Sequence, residues 1–142
     1  DYLSRINYTG GLEPTLENLR KITWSHKIAV PYTNLQIHGG SRLHFDLKQQ
    51  YDNIVTKRGG GVCYEINGLF VWLLRKLGYK VKCIEGAFFS GKFTCQRHHL
   101  VVTVDFDELG RYIVDPGWLM VGPMKMQVML PYVDGHHVYR LR

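Results

Sequence analysis

Cysteine is scarce in this chain of 142 residues, which contains only Cys63, Cys83 and Cys95. A low, odd number of cysteines does not describe the paired disulfide framework of a small secreted domain. We therefore expect a reducing, cytoplasmic location in which one thiol is available for chemistry.

Long hydrophobic runs are also missing. No stretch approaches the ~18 apolar residues that a membrane-spanning helix needs. The first ten residues lack the basic segment followed by an apolar one that marks a signal peptide. No membrane partner is expected, and the hydrophobic share of 45% still supplies enough apolar surface for a packed core.

Acidic residues are outnumbered, so the formal net charge is +6. An ordinary solvated basic surface explains this charge, and attraction of an anionic ligand such as coenzyme A is the functional alternative. Lysine and arginine are scattered, and no nucleic-acid-binding motif is present, so no nucleic acid partner is expected.

Two helices are predicted in the first part of the chain. Thr15 is a helix cap, and apolar residues follow it at helical spacing as far as Val30, whose successor Pro31 disfavours a helical conformation. Asp46 starts a second helix, which the three glycines at 59–61 end.

A third helix has the clearest pattern, because its apolar residues follow a period of 3.6. These are Ile66, Leu69, Phe70, Leu73, Leu74 and Leu77. Gly78 then provides a left-handed cap.

After Gly78 the hydrophobic period changes to two, which is typical of strands. Strands are predicted at 81–89, 99–104, 110–114, 126–130 and 138–141, with a hairpin turn at 107–110. This order predicts an α+β fold: an N-terminal helical bundle (1–79) carrying the cysteine, then an antiparallel β-sheet or small barrel (80–142).

Cys63 is the first candidate for chemistry. It follows the three glycines, which allow a tight turn, and it begins the third helix. A thiol at a helix N-terminus is near the positive end of the helix dipole, which favours the nucleophilic thiolate.

A nucleophilic cysteine needs a base and a group that orients the base. His99 and Asp115 lie on strands predicted to pair, roughly opposite each other. Cross-strand neighbours have Cβ atoms about 5 Å apart, within reach of a histidine–carboxylate hydrogen bond. The sheet would then present the base and the helix the thiol.

Other interpretations of the same residues remain open. A lone cysteine on an apolar helix face is most often a small buried hydrophobe. His98 competes with His99, although only one of two adjacent strand residues faces inward. Asp105 and Asp107 compete with Asp115, but both lie near the predicted turn, where carboxylates are common.

A metal site is the remaining chemical alternative. Its ligands would be Cys83, Cys95, His98 and His99. The spacing contains no Cys-x-x-Cys pair, and adjacent histidines on a strand point to opposite faces, so no metal is expected.

Several segments resemble the arylamine N-acetyltransferase family. Residues 58–67, RGGGVCYEIN, are similar to its R-G-G-x-C-x-E-x-N signature, and residues 30–38, VPYTNLQIH, to its V-P-F-E-N-L-x-x-H segment. Residues 99–102 and 112–117 are similar to the strands that carry its histidine and aspartate. The opening residues 2–6 match as well, so the resemblance covers essentially the whole chain.

The resemblance implies a cysteine-protease-like Cys-His-Asp core made of Cys63 as acetyl acceptor, His99 as base and Asp115 as orienter. It implies a ping-pong acyltransferase that moves acetyl from acetyl coenzyme A to an arylamine or hydrazine nitrogen through a Cys63 thioester. No bound cofactor is implied. The match ends near residue 141, so we expect the family's third, lid-like domain to be absent from this chain.

Two departures from the family pattern keep rival functions open. A third glycine separates Arg58 from Cys63, and the family's G-F-G after the aspartate is Gly117-Trp118-Leu119. A catalytically impaired binding module is one alternative, and an amide synthase or hydrolase with the same triad is another. Phe88, Phe89 and Trp118 are candidates for an aromatic acceptor pocket, with core packing as their ordinary role.

Overall fold

The computed structural model describes residues 1–43, 45–87, 98–118, 122–127, 131–134 and 137–139. These ranges contain five α-helices, one π-helical turn and six strands. In chain order they are α1 (Tyr2–Arg5), α2 (Leu16–Ala29), α3 (Leu35–His38), α4 (Leu47–Tyr51), the π-helical turn Asp52–Thr56, α5 (Cys63–Lys76), β1 (Lys80–Gly86), β2 (His99–Phe106), β3 (Gly110–Val114), β4 (Met124–Lys125), β5 (Tyr132–Asp134) and β6 (His137–Tyr139).

Helix α2 begins and ends where the sequence predicts. The Thr15 hydroxyl accepts a hydrogen bond of 3.1 Å from the Asn18 N–H, which satisfies a helix donor that has no intrahelical acceptor. The helix ends at Ala29, and Val30 is extended ahead of Pro31.

The helix predicted from Asp46 is divided into two parts. The Asp46 carboxylate caps α4 by accepting from the Gln49 N–H at 3.0 Å. After Tyr51 the backbone hydrogen bonds span five residues instead of four, which makes a π-helical turn. Arg58 then takes a left-handed conformation with φ +56°. The apolar pattern indicates only a helical segment and does not reveal such a turn, which is rare and usually a single turn long.

Helix α5 is the predicted third helix. Its apolar face is buried, and Gly78 adopts φ +86° just beyond its end, as the left-handed cap requires. The helix lies against β1 and β2, so its first residue, Cys63, comes close to the beginning of β2.

The described strands form an open antiparallel sheet in the order β1-β2-β3-β4 and a separate ribbon of β5 and β6. Strands β2 and β3 are joined by a hairpin in which Phe106 pairs with Gly110. The α+β prediction, with helices followed by an antiparallel sheet, is therefore confirmed. The sequence left open whether the strands form a sheet or a small barrel. In the described part of the chain they form an open sheet.

The last strands differ in place from their predictions. The strand predicted at 126–130 is wrong at Met126 and Gln127, because the pairing with β3 is confined to Met124–Lys125. Val138 and Tyr139 do lie in β6. Residues 88–89, 128–130 and 140–141 of the predicted strands lie outside the described residues.

One hydrophobic core extends from the helices to the sheet. Most of its fully buried apolar members come from α2, α5, β2 and β3, and the full set is Ile6, Leu19, Ile22, Ile54, Ile66, Leu69, Phe70, Leu74, Val102, Val104 and Val114. The division into a helical part at 1–79 and a β part at 80–142 remains a prediction.

Arg5 connects the ends of several helical segments. This buried guanidinium donates to the carbonyls of Ile54 and Ala29, each at 2.8 Å, and to those of Arg58 and Gly59, each at 3.2 Å. Arg5 therefore fixes the backbone just before the glycine segment that leads to Cys63.

Candidate active site

Cys63 is the first residue of α5, and its position is set by the segment before it. Gly60 lies so close to Pro31 that a Cβ there would be 2.1 Å from the Pro31 carbonyl oxygen. The Thr33 N–H donates to the Gly61 carbonyl at 3.0 Å, which ties the two segments together. Close backbone approach thus explains the glycine at position 60.

The start of α5 is also held by a buried carboxylate. Glu65 accepts a hydrogen bond of 3.1 Å from the Val62 N–H. Valine has no side-chain oxygen to complete a capping box, so Glu65 provides the side-chain half of the arrangement.

The Cys63 thiol is 5% exposed and its Sγ lies 3.8 Å from the His98 carbonyl oxygen. Burial raises the pKa of the thiol, but a hydrogen bond with His99 opposes this. Backbone N–H groups of Leu100 and Tyr64 also favour the thiolate, and the net effect lowers the pKa of Cys63.

His99 and Asp115 meet across the sheet. Val102 pairs with Val114, so the same register would place Asp115 opposite Val101, two residues from His99. The contact is therefore diagonal, yet His99 Nε2 and Asp115 Oδ2 are 2.5 Å apart and both side chains are buried.

The charge state of His99 follows from these neighbours. Burial lowers the pKa of the imidazole, but the hydrogen bonds and negative charges of Asp115 and Cys63 together raise it by more. The pKa of His99 therefore rises to about 9. A protonated imidazole between a carboxylate and a thiolate is the arrangement that these shifts favour.

Asn67 holds the carboxylate in place from α5. Its Nδ2 donates to Asp115 Oδ1 at 2.7 Å and to the Leu100 carbonyl at 2.6 Å. Its Oδ1 accepts from the Gly117 N–H at 2.9 Å. One amide therefore fixes both Asp115 and the loop that follows it to the helix that carries Cys63.

Two aromatic side chains border the site. The Trp118 ring lies 5.9 Å from the His99 ring and 5.0 Å from the Tyr32 ring, measured between centroids. Burial raises the pKa of Tyr32, and the negative charges of Cys63 and Asp115 raise it further, which places its hydroxyl in the field of the site. Phe88 and Phe89, the other predicted pocket residues, lie outside the described residues.

The competing residues have other roles or positions. Asp105 forms an ion pair with Arg111, and Asp107 lies 2.6 Å from the Lys80 ammonium, both at the surface. His98 is exposed, whereas His99 faces inward, and Arg58 is an exposed residue of the glycine turn. The departure at Arg58 thus lies on the surface.

The metal alternative receives no support from the described residues. None of them form a group of three or more histidine, cysteine or acidic side chains that could hold an ion. Cys83 is exposed on β1, and Cys95 lies outside the described ranges. Across those ranges, no helix combines the length and apolar character needed to cross a bilayer.

Two residues near the site carry no sequence signal of their own. Tyr32 is an aromatic residue in a helix-breaking segment, and only its place in the V-P-Y-T-N stretch draws attention to it. Lys27 donates to the Trp118 carbonyl, although a lysine in the last turn of a helix ordinarily indicates only a favourable helix-dipole contact.

The described structure is that of an α+β protein in which a buried thiol at a helix start adjoins a histidine–carboxylate pair on an antiparallel sheet. A family model described as N-acetyltransferase matches residues 15–142. The chain belongs to the arylamine N-acetyltransferase family.

Individual relatives agree with this assignment. The chain is 39% identical to the pineal gland isozyme NAT-3 of arylamine N-acetyltransferase from Gallus gallus, over 84% of this chain and 42% of the relative. It is 28% identical to arylamine N-acetyltransferase from Escherichia coli strain K12, over 99% of this chain and 51% of the relative. The chain thus spans about half the length of these relatives.

Solved structures share the same fold. Mycobacterium marinum arylamine N-acetyltransferase in complex with CoA superposes with a TM-score of 0.91 at 32% identity, over 99% of this chain and 55% of the other. The enzyme from Salmonella typhimurium gives a TM-score of 0.91 at 27% identity, over 98% and 52%.

Proposed function

We propose that this chain carries the acyl-transfer site of an arylamine N-acetyltransferase, with a Cys63 thioester as the intermediate. The observation that carries the proposal is the buried contact of His99 with Asp115 beside a thiol whose pKa is lowered. Family membership and the CoA complex of a relative support acetyl coenzyme A as the donor.

The first half-reaction uses the thiolate as nucleophile. Cys63 Sγ bonds to the acetyl carbon of acetyl coenzyme A while the bond from that carbon to the coenzyme sulfur breaks. The imidazolium of His99 gives its proton to the departing coenzyme A thiolate. Asp115 occupies Nε2, so Nδ1 is the nitrogen that serves the reacting sulfur atoms.

The second half-reaction returns the enzyme to its starting state. The acceptor nitrogen bonds to the acetyl carbon and the bond to Cys63 Sγ breaks. Neutral His99 takes the proton that the amine loses, which restores the thiolate–imidazolium pair. The N–H of Cys63 lies at the start of α5, where helix donors lack intrahelical acceptors, and it is suited to stabilise the oxyanion of both intermediates.

The acceptor is proposed to be an arylamine or hydrazine that rests against aromatic side chains. Tyr32 and Trp118 form a wall next to His99, and aromatic pairs prefer the tilted and edge contacts seen between these rings. A flat acceptor ring placed against this wall brings its nitrogen to the side of the thioester where His99 can take a proton.

Intact mass spectrometry after mixing the chain with acetyl coenzyme A tests the proposal. We expect one added acetyl group, which disappears when aniline is added and is absent in Cys63→Ala. Cys83→Ala is the matched control, because Cys83 is an exposed thiol on β1, and it should keep the adduct.

Three outcomes would overturn the proposal. An equal adduct on Cys63→Ala would assign the acetyl group to another residue. No adduct on the unaltered chain would favour the binding-module alternative. An adduct that only water removes, with aniline left unmodified, would instead favour a hydrolase using the same three residues.

A further inference from the structure

Lys27 makes a contact that links the last turn of α2 to the loop after Asp115. Its ammonium donates to the carbonyl of Trp118, 91 residues along the chain. A hydrogen bond with a charged donor is stronger than one between neutral groups. The lysine therefore does more than interact with the end of its own helix.

The loop from Asp115 to Trp118 is anchored at both of its ends. Asn67 on α5 binds Asp115 Oδ1 and the Gly117 N–H. Within the loop, the Trp118 N–H donates to the Asp115 carbonyl at 3.3 Å. Lys27 provides the anchor at the far end, from a different helix.

The Lys27 anchor matters because the Trp118 indole contacts the rings of both His99 and Tyr32. Rotation of the peptide that follows Trp118 would move the indole relative to both rings. Asp115 and Asn67 would keep their contacts, since their hydrogen bonds involve Asp115 and Gly117, which precede Trp118 in the loop. The two anchors therefore act on different parts of the site.

We propose that Lys27 is a positioning residue for the acyl acceptor, which holds the Trp118 indole against His99 by binding the Trp118 carbonyl. This inference rests on the proposed acetyl transfer for its kinetic consequence. Loss of the anchor should weaken use of the aromatic acceptor, while acetylation of Cys63 by acetyl coenzyme A should continue.

Kinetics of Lys27→Met provide the first test, because methionine keeps the unbranched stem and removes the donor. We expect the KM for aniline to rise about tenfold or more, since small displacements at a reacting centre are costly. The rate of Cys63 acetylation should stay within about twofold of the rate in the unaltered chain, a much smaller change than the one expected in the KM for aniline. Lys27→Arg, which retains a charged donor, should restore most of the acceptor KM.

Lys21→Met is the matched control. Lys21 is an exposed lysine on the same helix, paired with Glu17 at 2.7 Å and remote from the loop. It should leave both half-reactions unchanged. Circular dichroism of each variant shows that α2 is intact.

Tryptophan fluorescence tests the same inference without any acetyl transfer. A protonated imidazole quenches a neighbouring indole, so in a Trp24→Phe, Trp72→Phe background the emission of Trp118 should rise as the pH passes about 9 and His99 loses its proton. Lys27→Met should reduce the amplitude of this rise severalfold, and Lys27→Arg should not.

The two readouts separate failure of the inference from failure of the proposed function. If Lys27→Met keeps both the acceptor KM and the fluorescence amplitude, Lys27 is not a positioning residue. If Cys63 takes no acetyl group in any variant, acetyl transfer is wrong, and an unchanged or reduced fluorescence amplitude still decides whether Lys27 places the indole.

Discussion

The two nitrogens of the His99 ring have different roles in the proposed mechanism. Nε2 contacts the Asp115 carboxylate, which is itself held by Asn67, and Nδ1 is the nitrogen proposed to serve the thiol of Cys63. Asp115 thus fixes the orientation of the ring and favours its protonated form. The charge on the ring in turn favours the thiolate, so the three side chains act as one unit.

Asp115→Asn should weaken this unit without removing the nucleophile. An amide stabilises the imidazolium less than a carboxylate does, so the pKa of His99 should fall and that of Cys63 should rise. Alkylation of Cys63 by iodoacetamide should then reach half its maximal rate at a higher pH. Acetyl transfer should fall by about 10²–10⁴.

Asp105→Asn is the comparison for that experiment, since it removes a carboxylate of a surface ion pair on β2. It should leave the pH profile of alkylation unchanged. An Asp115→Asn profile that coincides with the unaltered one would show that the carboxylate does not set the charge of the thiol.

The three candidate residues Cys63, His99 and Asp115 could be identified from the sequence because each has a local signal. Cys63 follows three glycines at a helix start, and His99 and Asp115 lie on strands whose pairing can be predicted from a hairpin turn. Their roles in catalysis remain predictions. Lys27 and Tyr32 could not be found in this way, because a contact between residues far apart in sequence leaves no trace in local spacing.

At the scale of elements, the site depends on how helical segments end. Helix α2 and the π-helical turn each direct one carbonyl group toward Arg5, from Ala29 and Ile54, and the guanidinium also binds the carbonyls of Arg58 and Gly59. The carbonyl end of a helical segment carries partial negative charge, which a cation stabilises. The backbone that enters α5 is therefore fixed by a residue of α1.

Arg5→Met should destabilise the protein strongly. It leaves buried carbonyls without a donor, and each unsatisfied buried group costs about 1–3 kcal/mol. We expect the free energy of unfolding in urea to fall by about 3 kcal/mol or more, the range typical of a broken buried network. Arg20→Met, at an exposed position of α2, should change it by less than about 0.5 kcal/mol. Equal effects of the two substitutions would contradict this role for Arg5.

Long, strongly periodic elements were predictable and short ones were not. Helices α2 and α5 follow from caps and apolar spacing, and the β2–β3 hairpin follows from its turn. Helices α1 and α3 have four residues each, too few for a period to show. Strand β4 pairs over two residues, and tertiary pairing rather than local preference sets its limits.

At the scale of the whole molecule, the hydrophobic core of the described residues joins the helix that carries Cys63 to the strand that carries His99. His26 is a polar residue that is fully buried, with its Nε2 2.7 Å from the Tyr2 hydroxyl. Burial, with a smaller contribution from the positive charges of Arg5 and Lys27, lowers the pKa of His26 to about 3. The folded state therefore keeps this ring neutral.

Stability should decrease in mild acid as a result. Unfolded His26 takes a proton below about pH 6.5, whereas the folded ring stays neutral down to about 3, so the unfolded state binds more protons between these values. From pH 7 to pH 5 this should lower the free energy of unfolding by about 2 kcal/mol.

Urea titrations at the two pH values measure this loss. His26→Gln should remove the contribution of His26 and flatten the pH dependence by about that amount. His38→Gln, at an exposed position on α3, should not. A pH dependence that is the same in His26→Gln and in the unaltered chain would exclude His26 as its source.

The burial of Arg5 has a consequence for the response to ionic strength. Dissolved ions screen charges at the surface over about 8 Å at physiological salt concentration, so they weaken the Asp105–Arg111 pair of the β2–β3 hairpin and the Lys80–Asp107 pair that joins the hairpin to β1. Arg5 is buried and donates to uncharged carbonyl groups, so dissolved ions do not screen these contacts. The backbone segment that leads to Cys63 should therefore keep the same conformation from dilute buffer to concentrated salt. The surface ion pairs of the hairpin should weaken over the same range.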